Sequence, residues 1–150
     1  MGRYRVCKSF TVESGHMLSK HPESCRFPHG HSRRIEVVVS ANELDANDMV
    51  VDFKALKLAV GPFVEHFDHR MAMNSRDPLA ADIQRIHPDS CIIFEGQDPT
   101  TEVLAEAIYR HVEQVLANGF KAENHSIPPG RARLERVRVW ETDSSWAEFA

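Results

Sequence analysis

From residue 3 to 14 polar and apolar side chains alternate, with Tyr4, Val6, Phe10 and Val12 on one side and Lys8 as the exception. That period of two predicts a half-buried strand, and its parity carries on through Ser14 to His16. Residues 15 to 28 contain Gly15, His21-Pro22 and Pro28 and read as a long loop. Alternation resumes from about His29 to Asn42, where His29, His31, Ile35, Val37, Val39 and Ala41 share a side that Arg33 interrupts. The two runs predict an antiparallel hairpin joined by a functional loop. After turn material at Asn42 to Asp48 the period changes. Leu56, Ala59, Val60, Phe63 and Phe67 fall on one face of a helix over about 54–67, with Asp52 as its N-cap and Pro62 expected to kink or split it.

Residues 68 to 99 hold a short helix near Leu79 to Ile86 and an apolar run, Cys91 to Phe94. Asp98 or Thr100 caps the next helix, whose predicted buried stripe is Leu104, Ile108, His111 and Val115, with Gly119 as the stop. A polar connection over 119 to 132 leads to strands at Leu134 to Thr142 and Trp146 to Phe149. In the former, Val137, Val139 and Glu141 share a side. The order β-β-α-α-β-β predicts an α+β fold, a single domain over 1–150 with two helices on one face of an antiparallel sheet.

Composition narrows the function classes. The 150 residues are 42% hydrophobic and 27% charged, with a formal charge of -4, which argues against a nucleic-acid binder. No run approaches a membrane span, and the N-terminus lacks an apolar signal core, so a cytoplasmic location is expected. The three cysteines have no framework spacing, consistent with reduced thiols.

The chemistry concentrates in Cys25-Arg26-Phe27-Pro28-His29-Gly30-His31. A lone His-x-His is weak evidence, because surface and turn histidines are common. His16, in register on the preceding strand, reverses the balance: three neutral imidazoles on neighbouring strands suit Zn²⁺ and leave a fourth position open. Gly30 is expected to let the backbone approach whatever the rings hold. Cys25, in a polar loop with Lys20, His21, Glu23 and Arg26, is either a base or nucleophile or a fourth zinc ligand closing the site. Asp68-His69 is a candidate acid/base pair, with an exposed helix end as the plainer reading. Glu141 requires a partner, either a guanidine-like ligand edge or an internal arginine. Glu102 sits where it complements a helix dipole.

In order, Phe10…His16, Cys25-x-x-x-His29-Gly30-His31, Val51-Asp52-Phe53, Asp68-His69, Pro99-Thr-x-Glu102 and Trp140-Glu141-Thr142 resemble the 6-pyruvoyl-tetrahydropterin synthase family over nearly the whole chain. The three-residue gap between Cys25 and His29 is similar to that of its bacterial carboxy branch. The resemblance implies a tunnelling fold, with sheets closing into a barrel in a trimer and two trimers forming a homohexamer with active sites between subunits. It implies zinc on His16, His29 and His31, Cys25 as catalytic thiol, Asp68 and His69 as proton relay, and Glu141 anchoring the pterin, with Glu102 and Thr101 nearby. The implied reaction turns 7,8-dihydroneopterin triphosphate into 6-carboxy-5,6,7,8-tetrahydropterin, acetaldehyde and triphosphate, a step toward queuosine. The alternatives are the pyruvoyl branch, which eliminates triphosphate and retains the carbon chain, and a non-catalytic pterin- or metal-binding protein. Lys20, Arg26 and Arg33 are the cations available for a triphosphate. Residues 70–98 and 119–132 are longer than in compact bacterial members.

Overall fold

A computed structural model describes residues 2–150. Strand β1 (Tyr4–His16) pairs antiparallel with β2 (His29–Ala41) along its whole length, Tyr4 opposite Ala41 and His16 opposite His29. The predicted parity holds: Val12, Ser14 and His16 are buried while Thr11 and Glu13 are exposed. Strand β7 (Arg133–Thr142) pairs with β2, and β8 (Ser145–Phe149) pairs with β7 as the far edge.

The other edge differs from the expectation of a wholly antiparallel sheet. Strands β3 (Met71–Asn74) and β4 (Cys91–Phe94) run parallel to β1 and to each other, so the six-stranded sheet, ordered β4-β3-β1-β2-β7-β8, is mixed. Helix α2 (Ala80–Ile86) makes the crossover between them, as a parallel pair requires, and raises the α-helices to three. Four-residue strands are too short for a period to show, and a parallel partner lies far away in sequence.

Helices α1 (Phe53–Glu65) and α3 (Thr101–Asn118) cover one sheet face. Ala55, Leu56, Val60 and Val64 of α1 and Leu104, Ala105, Ile108, Val112 and Leu116 of α3 meet Val12, Ile35, Val37, Val39, Val137 and Val139 in one core. The α3 stripe is thus rotated slightly from the predicted one. His111 and Val115 lie at its border, where the His111 ring stacks on Phe63 with centroids 4.0 Å apart. Helix α1 runs unbroken through Pro62, which is exposed. The carbonyl it leaves without a donor, that of Leu58, belongs to an exposed residue within reach of water.

Asp52 caps α1, its Oδ1 accepting from the Lys54 amide at 2.9 Å, and its Oδ2 lies 2.6 Å from His125 Nδ1. His125 foremost, then the Lys54 amide, hold the Asp52 carboxyl below the usual carboxylate range. His125 belongs to a hairpin of β5 (Phe120–Ala122) and β6 (His125–Ile127), which gives the 119–132 connection structure and packs on α1. Gly119 turns into it at φ +77°, where a Cβ would meet Pro129 Cδ at 2.8 Å and the Ile127 carbonyl oxygen at 2.9 Å. Among the described residues no helix is long and apolar enough to cross a membrane.

Asp52→Ala removes both the cap and the hairpin contact, and should lower the unfolding free energy by about 1–2 kcal/mol in a urea titration at pH 7. Asp52→Asn retains a capping oxygen and should lose less. An unchanged midpoint for the alanine variant would mean that the cap contributes nothing.

Candidate metal centre

At one end of the β1–β2 pair, the register sets Ser14 opposite His31 and His16 opposite His29, which turns three imidazoles toward one point. Their ring centroids are 4.5, 5.1 and 5.2 Å apart, and one ligand nitrogen of each lies within 4.8 Å of the others. His16 is fully buried. Its Nδ1 donates to the Pro99 carbonyl at 2.8 Å, and His29 Nδ1 donates to the Phe27 carbonyl at 2.7 Å. These bonds select the tautomer that leaves both Nε2 lone pairs free, the arrangement metal-binding histidines adopt. His31 Nε2 is buried with no hydrogen-bond partner. An orphaned buried nitrogen aimed at two free lone pairs fits a divalent cation of borderline softness such as Zn²⁺.

Burial pushes the His16 imidazole down to about 4; the Pro99 carbonyl opposes this, while Arg33 and the other two histidines add to it. Burial first, then Arg33, also lowers His31. His16 and His31 are therefore neutral at pH 7 and ready to bind metal without first losing a proton.

Gly30 does not face the rings. It alternates to the opposite side of β2, where a Cβ would sit 3.2 Å from the Ser14 carbonyl oxygen, so its role is close approach between strands. The Pro99 carbonyl is positioned by Asp98, whose carboxylate accepts from Ser19 Oγ at 2.6 Å, the Lys20 amide at 2.8 Å and Asn74 Nδ2 at 2.9 Å. Burial would raise this carboxyl, but those donors outweigh it and the net shift is downward. The cap of α3 is Thr100, which accepts from the Val103 amide at 3.3 Å.

Glu141 reaches the same point from β7. Its Oε1 is 3.6 Å from both His16 Nε2 and His31 Nε2, and it accepts from Thr101 Oγ1 at 3.0 Å. An internal arginine is its partner: Arg33 Nη2 is 4.0 Å away. Thr101 is buried in the first turn of α3, and Glu102 beside it is exposed. Arg33 is buried and turned inward, so it presents no face to a triphosphate; Lys20 and Arg26 are exposed.

Three predicted residues lie outside this cluster in the protomer. Cys25 lies on a turn at Ser24–Arg26, half-buried, and its thiol is not in the set of mutually close ligand atoms. Asp68 and His69 dock on the β1 edge. Asp68 Oδ1 accepts from the Glu13 amide at 2.8 Å, and the His69 amide donates to the Glu13 carbonyl at 2.7 Å. The adjacent side chains bond directly, His69 Nδ1 to Asp68 Oδ2 at 2.7 Å, which sequence neighbours rarely manage. His69 achieves it at φ +55°, a left-handed conformation costly for a non-glycine residue. The pair borders a cleft with Ile86–Ser90 that none of the three histidines lines.

The roles of Arg33, Asp98 and the Pro99 carbonyl are absent from the sequence reading. The usable signal was Arg33 itself, a charge on the inward side between His31 and Ile35.

An α+β protomer thus brings together three histidines that could hold a metal ion. Residues 5–150 match the model of the family described as 6-pyruvoyl tetrahydropterin synthase, and the chain belongs to that family of enzymes. The 6-carboxy-5,6,7,8-tetrahydropterin synthase of Aquifex aeolicus is 27% identical over 98% of each chain. That of Rickettsia conorii is 31% identical over 96% of this chain and 98% of its own. Among solved structures, an uncharacterised protein of Wolinella succinogenes superposes with a TM-score of 0.73 at 23% identity, covering 99% of this chain and 98% of its own. The 6-pyruvoyl tetrahydropterin synthase of Caenorhabditis elegans does so at 0.67 and 18%, covering 99% and 96%. Both show the shared tunnelling fold of the protomer.

His29→Ala should leave a folded protein whose zinc affinity falls more than about 100-fold, since even outer partners of a metal site cost 10–100-fold. Chelator competition and a urea titration of the metal-free protein check this. Loss of folding instead would mark the histidines as structural.

Proposed function

We propose that this chain converts 7,8-dihydroneopterin triphosphate, with uptake of water, to 6-carboxy-5,6,7,8-tetrahydropterin, acetaldehyde and triphosphate, with Zn²⁺ held by His16, His29 and His31. The observation that carries the reading is the orphaned Nε2 of His31 beside two imidazoles already fixed through Nδ1. Full-length relatives named for the carboxy reaction and the short Cys25–His29 gap support this branch over the pyruvoyl one. When bound, zinc supplies Lewis acidity toward the oxygens of the substrate side chain.

The chain's own residues do the rest. Cys25 takes a proton from the substrate side chain as it is cleaved. His69 carries protons, with Asp68 fixing its ring through the Nδ1···Oδ2 bond. Glu141, one-third exposed, accepts the paired N–H donors of the pterin's amino-pyrimidine edge, and Thr101 and Glu102 flank it. Because the Asp68–His69 pair lies apart from the histidines within one protomer, a neighbouring copy supplies it. The working enzyme is accordingly a homohexamer of two trimers with sites between subunits, acting in the cytoplasm on the way to queuosine.

Incubating the zinc-loaded protein with 7,8-dihydroneopterin triphosphate should yield the carboxy-pterin and acetaldehyde by mass spectrometry; a pyruvoyl product would move the chain to the other branch. Cys25→Ala should lose at least about 100-fold in turnover while retaining its zinc. Retained turnover would remove Cys25 from the chemistry. Lost zinc would make the thiol a fourth ligand and the site structural.

A further inference from the structure

The motifs leave one group unexplained, the buried guanidinium of Arg33. It is 1% exposed, and burial pushes it down to about 10 against the opposing pull of Glu141, so it is charged at pH 7. Nε donates to Ser14 Oγ at 3.0 Å and Nη1 to Thr101 Oγ1 at 3.1 Å. Nη2 is 3.3 Å from both nitrogens of His16. Since His16 Nδ1 already donates to Pro99, these equal distances place Nη2 over the ring and leave the Nε2 lone pair free. Thr101 Oγ1, having accepted from Arg33, donates its own hydrogen bond to Glu141 Oε1 at 3.0 Å. Ser14, Arg33, Thr101 and Glu141 thus form one chain of bonds around the histidines.

That chain governs a choice. Glu141 Oε1 lies 3.6 Å from two of the ligand nitrogens, near the roughly 3.3 Å that separates ligands in a tetrahedral site with bonds of about 2.0 Å. Yet Glu141 is outside the set of ligand atoms that are all close to one another. A small rotation would bring its oxygen in as a fourth ligand and close the centre. We propose that Arg33 and Thr101 are positioning residues, a clamp that holds the Glu141 carboxylate beside the metal position, available to substrate, and so keeps the fourth position open. Glu141 is the carboxylate paired with Arg33 among the described residues, and that buried cation retains it against the pull of the metal.

The inference rests on the metal reading above, so the test reads metal binding and coordination in the cobalt-substituted full chain. Thr101→Val retains the shape of the side chain and breaks the relay. It should tighten cobalt binding by roughly tenfold or more and change the visible spectrum, and Thr101→Val with Glu141→Gln should reverse both. Glu141→Gln alone, with the clamp intact, should leave the cobalt spectrum as in the wild type and lower affinity by roughly tenfold or less, the effect of losing a nearby negative charge. Wild-type affinity and spectrum in Thr101→Val would overturn the clamp, and so would a changed cobalt spectrum in Glu141→Gln, which would make Glu141 a ligand already. If Thr101→Val fails to fold, Thr101→Ala breaks the same hydrogen bonds and carries the same expected result. A wild-type chain that takes up no cobalt would overturn the metal reading itself, a distinct result.

Discussion

The register between β1 and β2 is the constraint on which the site depends. With Ser14 opposite His31 and His16 opposite His29, three imidazoles from two strands converge on one side. A slip of one residue would send Val12, Ser14 and His16 to the far face and scatter the ligands. What holds the register is the core below it, since Phe10–Ile35 and Lys8–Val37 are neighbours in the same ladder. Burial of Ile35, Val37 and Val39 against α1 and α3 therefore aligns the three histidines several residues away.

Electrostatics set the second condition. A fully buried imidazole such as His16 stays neutral because charge is expensive there, and Arg33 against its ring makes protonation more expensive still. The guanidinium is itself a buried charge, tolerable only because Ser14 and Thr101 accept its hydrogen bonds and Glu141 lies near. The same carboxylate thus balances the core and lies beside His16 and His31. Asp98 works at longer range, tying Ser19, Lys20 and Asn74 together where the Pro99 carbonyl must meet His16.

The centre is unevenly supplied within one protomer. Ligands, Glu141 and Thr101 meet, whereas the Asp68–His69 pair is displayed outward from the β1 edge in a strained backbone conformation. Strain of this kind clusters at active sites, ligand clamps and switch regions.

Much was legible from local order. Alternation in 3–14 and 29–42 located β1 and β2 nearly to the residue, and the same parity put His16, His29, His31 and Glu141 on the buried side. Asp52 and Gly119 marked helix ends through backbone chemistry that acts within a few residues. The parallel edge β3–β4 was not legible, nor the exact stripe of α3, nor the direct Asp68–His69 bond, because each depends on a partner or a backbone angle that no local pattern encodes. Arg33 shows the division most clearly. Its place on the inward side of β2 follows from period two, but whether that charge met substrate or core depended on Thr101 and Glu141, 68 and 108 residues further along the chain and brought together only by packing.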